Sequence, residues 1–161
     1  MSSLGGVVWE NFYENKLEHE KVSDGNVHLY FHSVQGKMSQ KSTSNYCREE
    51  SLKCIQILKY YERRNLVCQV LTFYEAQRRY VKRLDGRISV CCIDSYQGQE
   101  ADVVILLLSV RKWKISKFMV NRGRLAVCTS RSKLDFHIVG HLKTICKSTI
   151  WRKLLTRFEK R

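Results

Sequence analysis

"CCIDSYQGQEADVVILLL", residues 91–108, decides the fold. Its second half runs apolar from Val103 to Leu108, and a strand apolar on both faces belongs in the middle of a parallel sheet covered by helices. Its first half closes another β-rich run, Arg87–Ile93. Between the two lies Asp94–Glu100, a loop with more polar groups than a connector needs. A buried parallel sheet with a chemically loaded loop at its edge is the first expectation.

The flanking segments fit that sheet. Upstream, 27–34 and 66–73 read as strands. A helix is expected over 47–63, with Leu52, Ile55, Leu58 and Tyr61 along one face, and another over 74–84, with Ala76, Tyr80 and Leu84 inward. The stretch 35–45 reads as a polar loop closed by Ser44 and Asn45 as helix caps. Downstream, a basic loop leads to a helical piece around 122–133, a strand over 134–140, and a closing helix over 148–161 with Ile150, Leu154 and Phe158 in register. Strands alternating with helices predict a doubly wound, mostly parallel α/β sheet with right-handed crossovers, one domain over 27–161 after a leading segment 1–26. In such sheets ligands sit beyond the carboxyl ends of the strands. Thr72, the Asp94–Glu100 loop and Arg111 each follow a strand, so one shared rim is expected.

Charge narrows the partner. The chain carries a formal net charge of +14, and the balance is lopsided: residues 1–62 hold seven Lys/Arg against eight Asp/Glu, and residues 63–161 hold 22 against seven. Such asymmetry predicts a polyanionic partner. The seven cysteines form no C-x-x-C pair, the five histidines have no zinc-ligand spacing, and no metal site is expected. The longest apolar run is too short to cross a bilayer, and the first residues lack the pattern of a signal peptide. A cytoplasmic or nuclear protein with no membrane partner is the expectation.

Several separated stretches, in order, resemble the C-terminal RecA-like domain of superfamily-one helicases, the group containing the nonsense-mediated-decay RNA helicase. "FYENKL" (12–17) is similar to the family's "FYxxxL", and "LTFYEAQ" (71–77) to its "xTPYxxQ". "IDSYQGQEADVVIL" (93–106) resembles motif V, and "NRGRLAVCTSRSK" (121–133) resembles motif VI. The serine-rich stretch 39–58 is similar to the family's "SxxNxxEA".

The resemblance implies a RecA-like fold, with ATP and Mg held between two such domains and single-stranded RNA or DNA crossing both. It assigns Arg131 as the arginine finger and Arg124, two helical turns earlier, as its support. Glu100, Gly98 and Gln97 fall on the nucleotide side. Thr72, Tyr74, Asp94, Ser95, Arg78 and Arg111 fall on the nucleic-acid side. A guanidinium suits the first role because its planar fork donates two bonds to phosphate oxygens as charge develops. A hydroxyl suits the second because it can bond phosphate without reading bases.

Departures temper the assignment. Phe73 stands where the family has proline, and Ala126-Val127-Cys128 changes the start of motif VI. No G-x-x-x-x-G-K-[ST] occurs in these 161 residues, and no Asp-Glu pair ends an apolar strand. The chain alone is therefore expected not to hydrolyse ATP and to need an N-terminal RecA-like partner domain. The alternative is a non-catalytic nucleic-acid-binding or interaction module that kept the fold.

Overall fold

A computed structural model describes residues 20–21, 27–41, 44–96, 98–110, 115, 117–120 and 130–159. The apolar run 103–108 lies at the centre, as its composition demands. In chain order the strands are β1 (Glu20–Lys21), β2 (His28–Ser33), β3 (Met38–Lys41), β4 (Ser44–Cys47), β5 (Cys68–Thr72), β6 (Val90–Cys92), β7 (Ala101–Leu107) and β8 (Ser132–Gly140). The helices are α1 (Arg48–Tyr61), α2 (Glu75–Leu84), α3 (Leu142–Ile145) and α4 (Thr149–Glu159). Short 3-10 turns cover Ile93–Ser95 and Lys117–Val120.

Six strands form one sheet in the order β1-β2-β8-β7-β5-β6, and every pair is parallel except β1 with β2. This is the α/β, RecA-like arrangement. Alternation along β7 fills both faces. Val103, Ile105 and Leu107 pack with Cys54, Ile57 and Val81 of α1 and α2, whereas Val104, Leu106 and Leu108 pack with Trp151 and Leu155 of α4. The indole of Trp151 donates to the Met119 carbonyl at 3.0 Å, which seats α4 on the Lys117–Val120 turn. Gly140 permits a close crossing here, because a Cβ would meet the Leu108 side chain at 2.6 Å.

Several expectations are corrected. Residues 38–47 are not a loop but a hairpin, β3 paired antiparallel with β4, and Cys47 is the residue that precedes α1. In α1 the inward residues are Glu50, Ser51, Cys54, Ile57 and Tyr61, while Leu52 is exposed. In α2 they are Ala76, Gln77 and Val81, while Leu84 is exposed. In α4 Trp151 and Leu155 are buried and Ile150 packs against the core, while the side chains of Leu154 and Phe158 lie outside the described residues. Tyr61 and Ala76 are inward as expected and Ile55 and Leu58 pack against the core, but Leu52 and Leu84 face solvent and polar side chains take inward places. The helical piece around 122–133 lies mostly outside the described residues, as does "FYENKL".

One polar chain is built into the sheet between β2, β8 and α1. Tyr61 donates its hydroxyl to Asp135 Oδ2 at 2.6 Å and lies 2.6 Å from His137 Nε2. A phenol has one proton, so His137 Nε2 carries the hydrogen in the second bond. His137 Nδ1 is then the acceptor for His32 Nε2, at 2.9 Å. Burial first, and the neighbouring Lys53 second, push His32 down to about 3; burial and His32 hold His137 well below its ordinary value. The bond pattern requires a neutral His137, whose Nδ1 must accept, and the depressed value of His32 is in keeping with a neutral donor ring.

Candidate nucleotide and nucleic-acid site

The register separates the predicted residues into two groups. Thr72 lies level with Cys92 and with Leu107, so these mark the carboxyl rim. Ala101 pairs with Ser132 at the opposite, amino rim. The Asp94–Glu100 loop therefore does not sit on one rim. It starts beside Thr72 and ends at the other end of the sheet, because a parallel partner on the far side of β5 must be entered from its amino end.

At the amino rim, the Ala101 amide donates to the Arg131 carbonyl at 3.0 Å, which places Glu100 and Arg131 on adjoining strand starts. Glu100 is exposed and Arg131 half-buried. Arg131 Nε is a buried nitrogen with no hydrogen-bond partner among the described residues. Tyr96, which the sequence reading passed over, is buried in the core beneath this loop. Burial raises its phenol, Cys91 adds to the rise, and Arg131 and Glu100 then act on it in opposite senses. In the loop ahead of Glu100, Gly98 holds φ +75, a left-handed conformation that glycine adopts freely. Nothing stands within 4 Å of where its Cβ would be, so the requirement is one of backbone conformation within the chain.

At the carboxyl rim, Asp94 and Ser95 are exposed within the 3-10 turn. Thr72 is fully buried, and its hydroxyl accepts the Tyr74 amide at 3.2 Å, so it shapes the turn that presents Tyr74. Arg78 is committed to an ion pair: its Nε donates to Glu75 Oε2 at 2.8 Å, and Arg79 reaches Glu75 Oε1 at 3.2 Å. The Arg78 bond holds the Glu75 carboxyl down to about 2. Arg124, Gln97 and Arg111 lie outside the described residues. Among those described, no helix is long and apolar enough to cross a membrane.

The described residues fit one side of a triphosphate and not the whole of it. A guanidinium with an unsatisfied buried donor suits phosphate oxygens. No glycine-rich phosphate loop accompanies it in the sequence, so the principal holder of ATP and Mg is not among these residues.

The family described as "AAA domain" matches residues 6–143. Among curated proteins, the chain is 25% identical over 156 residues to the human NFX1-type zinc finger-containing protein 1, covering 86% of the chain and 8% of that protein. It is 27% identical to the ATP-dependent helicase NAM7 of Saccharomyces cerevisiae, covering 78% of the chain and 14% of the helicase. It is 28% identical to the regulator of nonsense transcripts 1 of Dictyostelium discoideum, covering 81% and 11%. The chain thus spans a small fraction of each relative's length. The matched residues take in the strands, the motif V loop and Arg131, and the chain belongs to the AAA domain family, as the C-terminal RecA-like domain of superfamily-one helicases.

Proposed function

We propose that this chain is the second motor domain of an ATP-dependent RNA or DNA helicase, active only beside an N-terminal RecA-like domain that carries the phosphate loop. Arg131 supplies positive charge to the γ-phosphate side of ATP, supported by Arg124. Glu100, Gly98 and Gln97 border the nucleotide. The observation that supports the reading is Arg131 at the amino rim, with a buried Nε that no hydrogen bond among the described residues satisfies, its carbonyl bonded to the residue after Glu100. ATP with Mg supplies the phosphoryl-transfer chemistry when bound; this chain's part is to orient charge toward the phosphates.

Single-stranded RNA or DNA is assigned to the carboxyl rim, where Tyr74, Asp94 and Ser95 gather and where Arg78 and Arg111 belong by sequence. The basic surplus of residues 63–161 supports a polyanion there. The test is to join the chain to, or mix it with, a phosphate-loop RecA-like domain of the same family and measure ATPase activity with and without an oligonucleotide. Stimulation that disappears with Arg131→Ala supports the motor reading. Strand binding without any stimulation identifies the alternative, a non-catalytic binding module derived from such a helicase.

A further inference from the structure

The ends of β5 and β7 meet a buried polar node that the proposed chemistry does not use. Ser109, two residues past β7, is fully buried and holds φ +48, a conformation that residues with a Cβ avoid. Two bonds keep it there. Its amide donates to Glu50 Oε1 at 3.0 Å, and its hydroxyl donates to Gln77 Oε1 at 2.7 Å. The same Gln77 oxygen accepts the Cys47 amide at 2.7 Å. Gln77 Nε2 donates to Ser51 Oγ at 2.5 Å, and Ser51 in turn donates to the Cys47 carbonyl at 3.0 Å. Glu50, Ser51 and Gln77 are all buried.

This is an expensive way to fasten two helices to a sheet. A buried carboxyl and a left-handed serine each disfavour the fold, and apolar residues of similar volume would pack the same space without either. The location explains the choice. From β5 the chain turns into α2 on one face of the sheet; from β7 it goes on to the Lys117–Val120 turn, whose Met119 packs on the other. Connections leaving neighbouring strands on opposite faces open a crevice at their carboxyl ends, which is where sheets of this class receive ligands. Gln77 lies in the first turn of α2, which the Thr72–Tyr74 turn leads into, and Ala76 beside it donates its amide to Ser44 Oγ at 2.9 Å.

We propose that Glu50 and Gln77 are positioning residues for the nucleic-acid rim: through Ser109 they fix where the chain leaves β7 relative to the Thr72–Tyr74 turn, so that both meet a single strand as one surface. The inference rests on the reading that this rim carries nucleic acid. Around the Glu50 carboxyl stand Cys47, Glu49 and Cys54 from α1 and its start, and the amides of Leu108 and Ser109 from the end of β7. Lys37, His141 and Lys143 line the cavity of about 1050 Å³ that Glu50 also borders. Burial is the main influence and pushes Glu50 up to about 8. Loss of its proton above that pH leaves a buried charge and loosens the node.

The experiment measures binding of the chain to a fluorescein-labelled 20-mer of uridine by anisotropy between pH 6 and 9. Wild type, Glu50→Gln and Glu50→Leu are compared, with hydrogen exchange followed at Ser109 and at Thr72–Tyr74. Glu50→Gln keeps an acceptor for the Ser109 amide and cannot ionise; Glu50→Leu removes the acceptor. Wild-type affinity is expected to fall several-fold through pH 8, Glu50→Gln to stay level, and folded Glu50→Leu to bind about 5–10-fold more weakly at every pH, the loss expected when a buried polar partner is removed. Level and equal binding by wild type and Glu50→Gln across the range overturns the inference, whether or not Glu50→Leu folds. Should no form bind the strand at any salt, the reading of the rim falls, and exchange decides the inference. Faster exchange at Ser109 and Thr72–Tyr74 together in wild type above pH 8, absent in Glu50→Gln, upholds the node; unchanged exchange overturns it.

Discussion

The Arg131 carbonyl accepts the amide of Ala101 at 3.0 Å, so the backbones at Arg131 and at Glu100, which precedes β7, are held next to each other. Neither side chain is needed to bring the other into place. Substitutions of Arg131 or Glu100 therefore report on chemistry with little effect on the fold.

Arg131→Ala, in the chain joined to a phosphate-loop domain, is expected to lower stimulated ATP hydrolysis by roughly 10³-fold or more while oligonucleotide affinity changes little. Arg131→Lys is expected not to restore the rate, since an ammonium lacks the planar fork. Steady-state ATPase and anisotropy on the same preparations check both statements.

Binding of single strands is expected to weaken with salt. For Z phosphate contacts the slope of log affinity against log salt is about −0.7Z. Titration between 50 and 300 mM salt, about the usual working range for such measurements, reads the slope. A flat line removes the polyanion from the account.

Glu50 makes stability depend on pH in an unusual direction. Its folded value of about 8 lies above the ordinary 4.5, so the native state holds the proton more tightly than the unfolded chain does. The contribution is fully present below pH 4.5 and is lost as pH rises toward 8, at up to about 1.4 kcal/mol per pH unit. Urea midpoints measured from pH 5 to 8 should fall less steeply in Glu50→Gln than in wild type.

The histidine chain acts on the acid side. His32 is held down to about 3 and His137 is also depressed, so their contribution is present above the ordinary value of 6.5 and is lost as pH falls below it. Tyr61→Phe removes the hydroxyl that joins His137 to Asp135 and is expected to cost about 1–3 kcal/mol, the usual penalty for a buried donor left unpaired. Denaturant unfolding of the variant at pH 7 measures it.

Gly98→Ala forces a Cβ into a left-handed position, at an expected cost of roughly 1–2 kcal/mol with no steric clash. Gly98→Asn should lose less, because asparagine tolerates that conformation better. Melting curves separate the two.

Much of the sheet was legible because strand cores advertise themselves. The uninterrupted run 103–108 named the central strand, and the alternation His28, Leu29, Tyr30, Phe31, His32 already set three polar-capable rings on one face. Only their partners were unreadable, since pairing Tyr30 with His137 needs the register of two strands 107 positions apart. The helical stripes were legible only in part, Tyr61 and Ala76 inward but Leu52 and Leu84 exposed, for a chemical reason. Glu49-Glu50 reads as the ordinary acidic first turn of a helix, and nothing local distinguishes that from a buried carboxyl awaiting the amide of Ser109. The hairpin of 38–47 carries neither an Asn-Gly turn nor an apolar alternation, so its strands gave no signal. At the site, motif order named Glu100 and Arg131, but counting which strand end each occupied required the topology.

The connection from Cys92 to Ala101 has very little slack. It must cover roughly 20 Å along the sheet, the rise of six residues of β7, and about 10 Å across the intervening β5. With three residues wound into a 3-10 turn, nine peptide steps reach only about 27 Å at full extension. The straight-line span is thus about 22 Å, leaving a reserve of only a few ångströms of path. One nine-step link therefore joins Asp94 at one end of the sheet to Glu100 at the other, and an insertion or deletion within it would be felt at both.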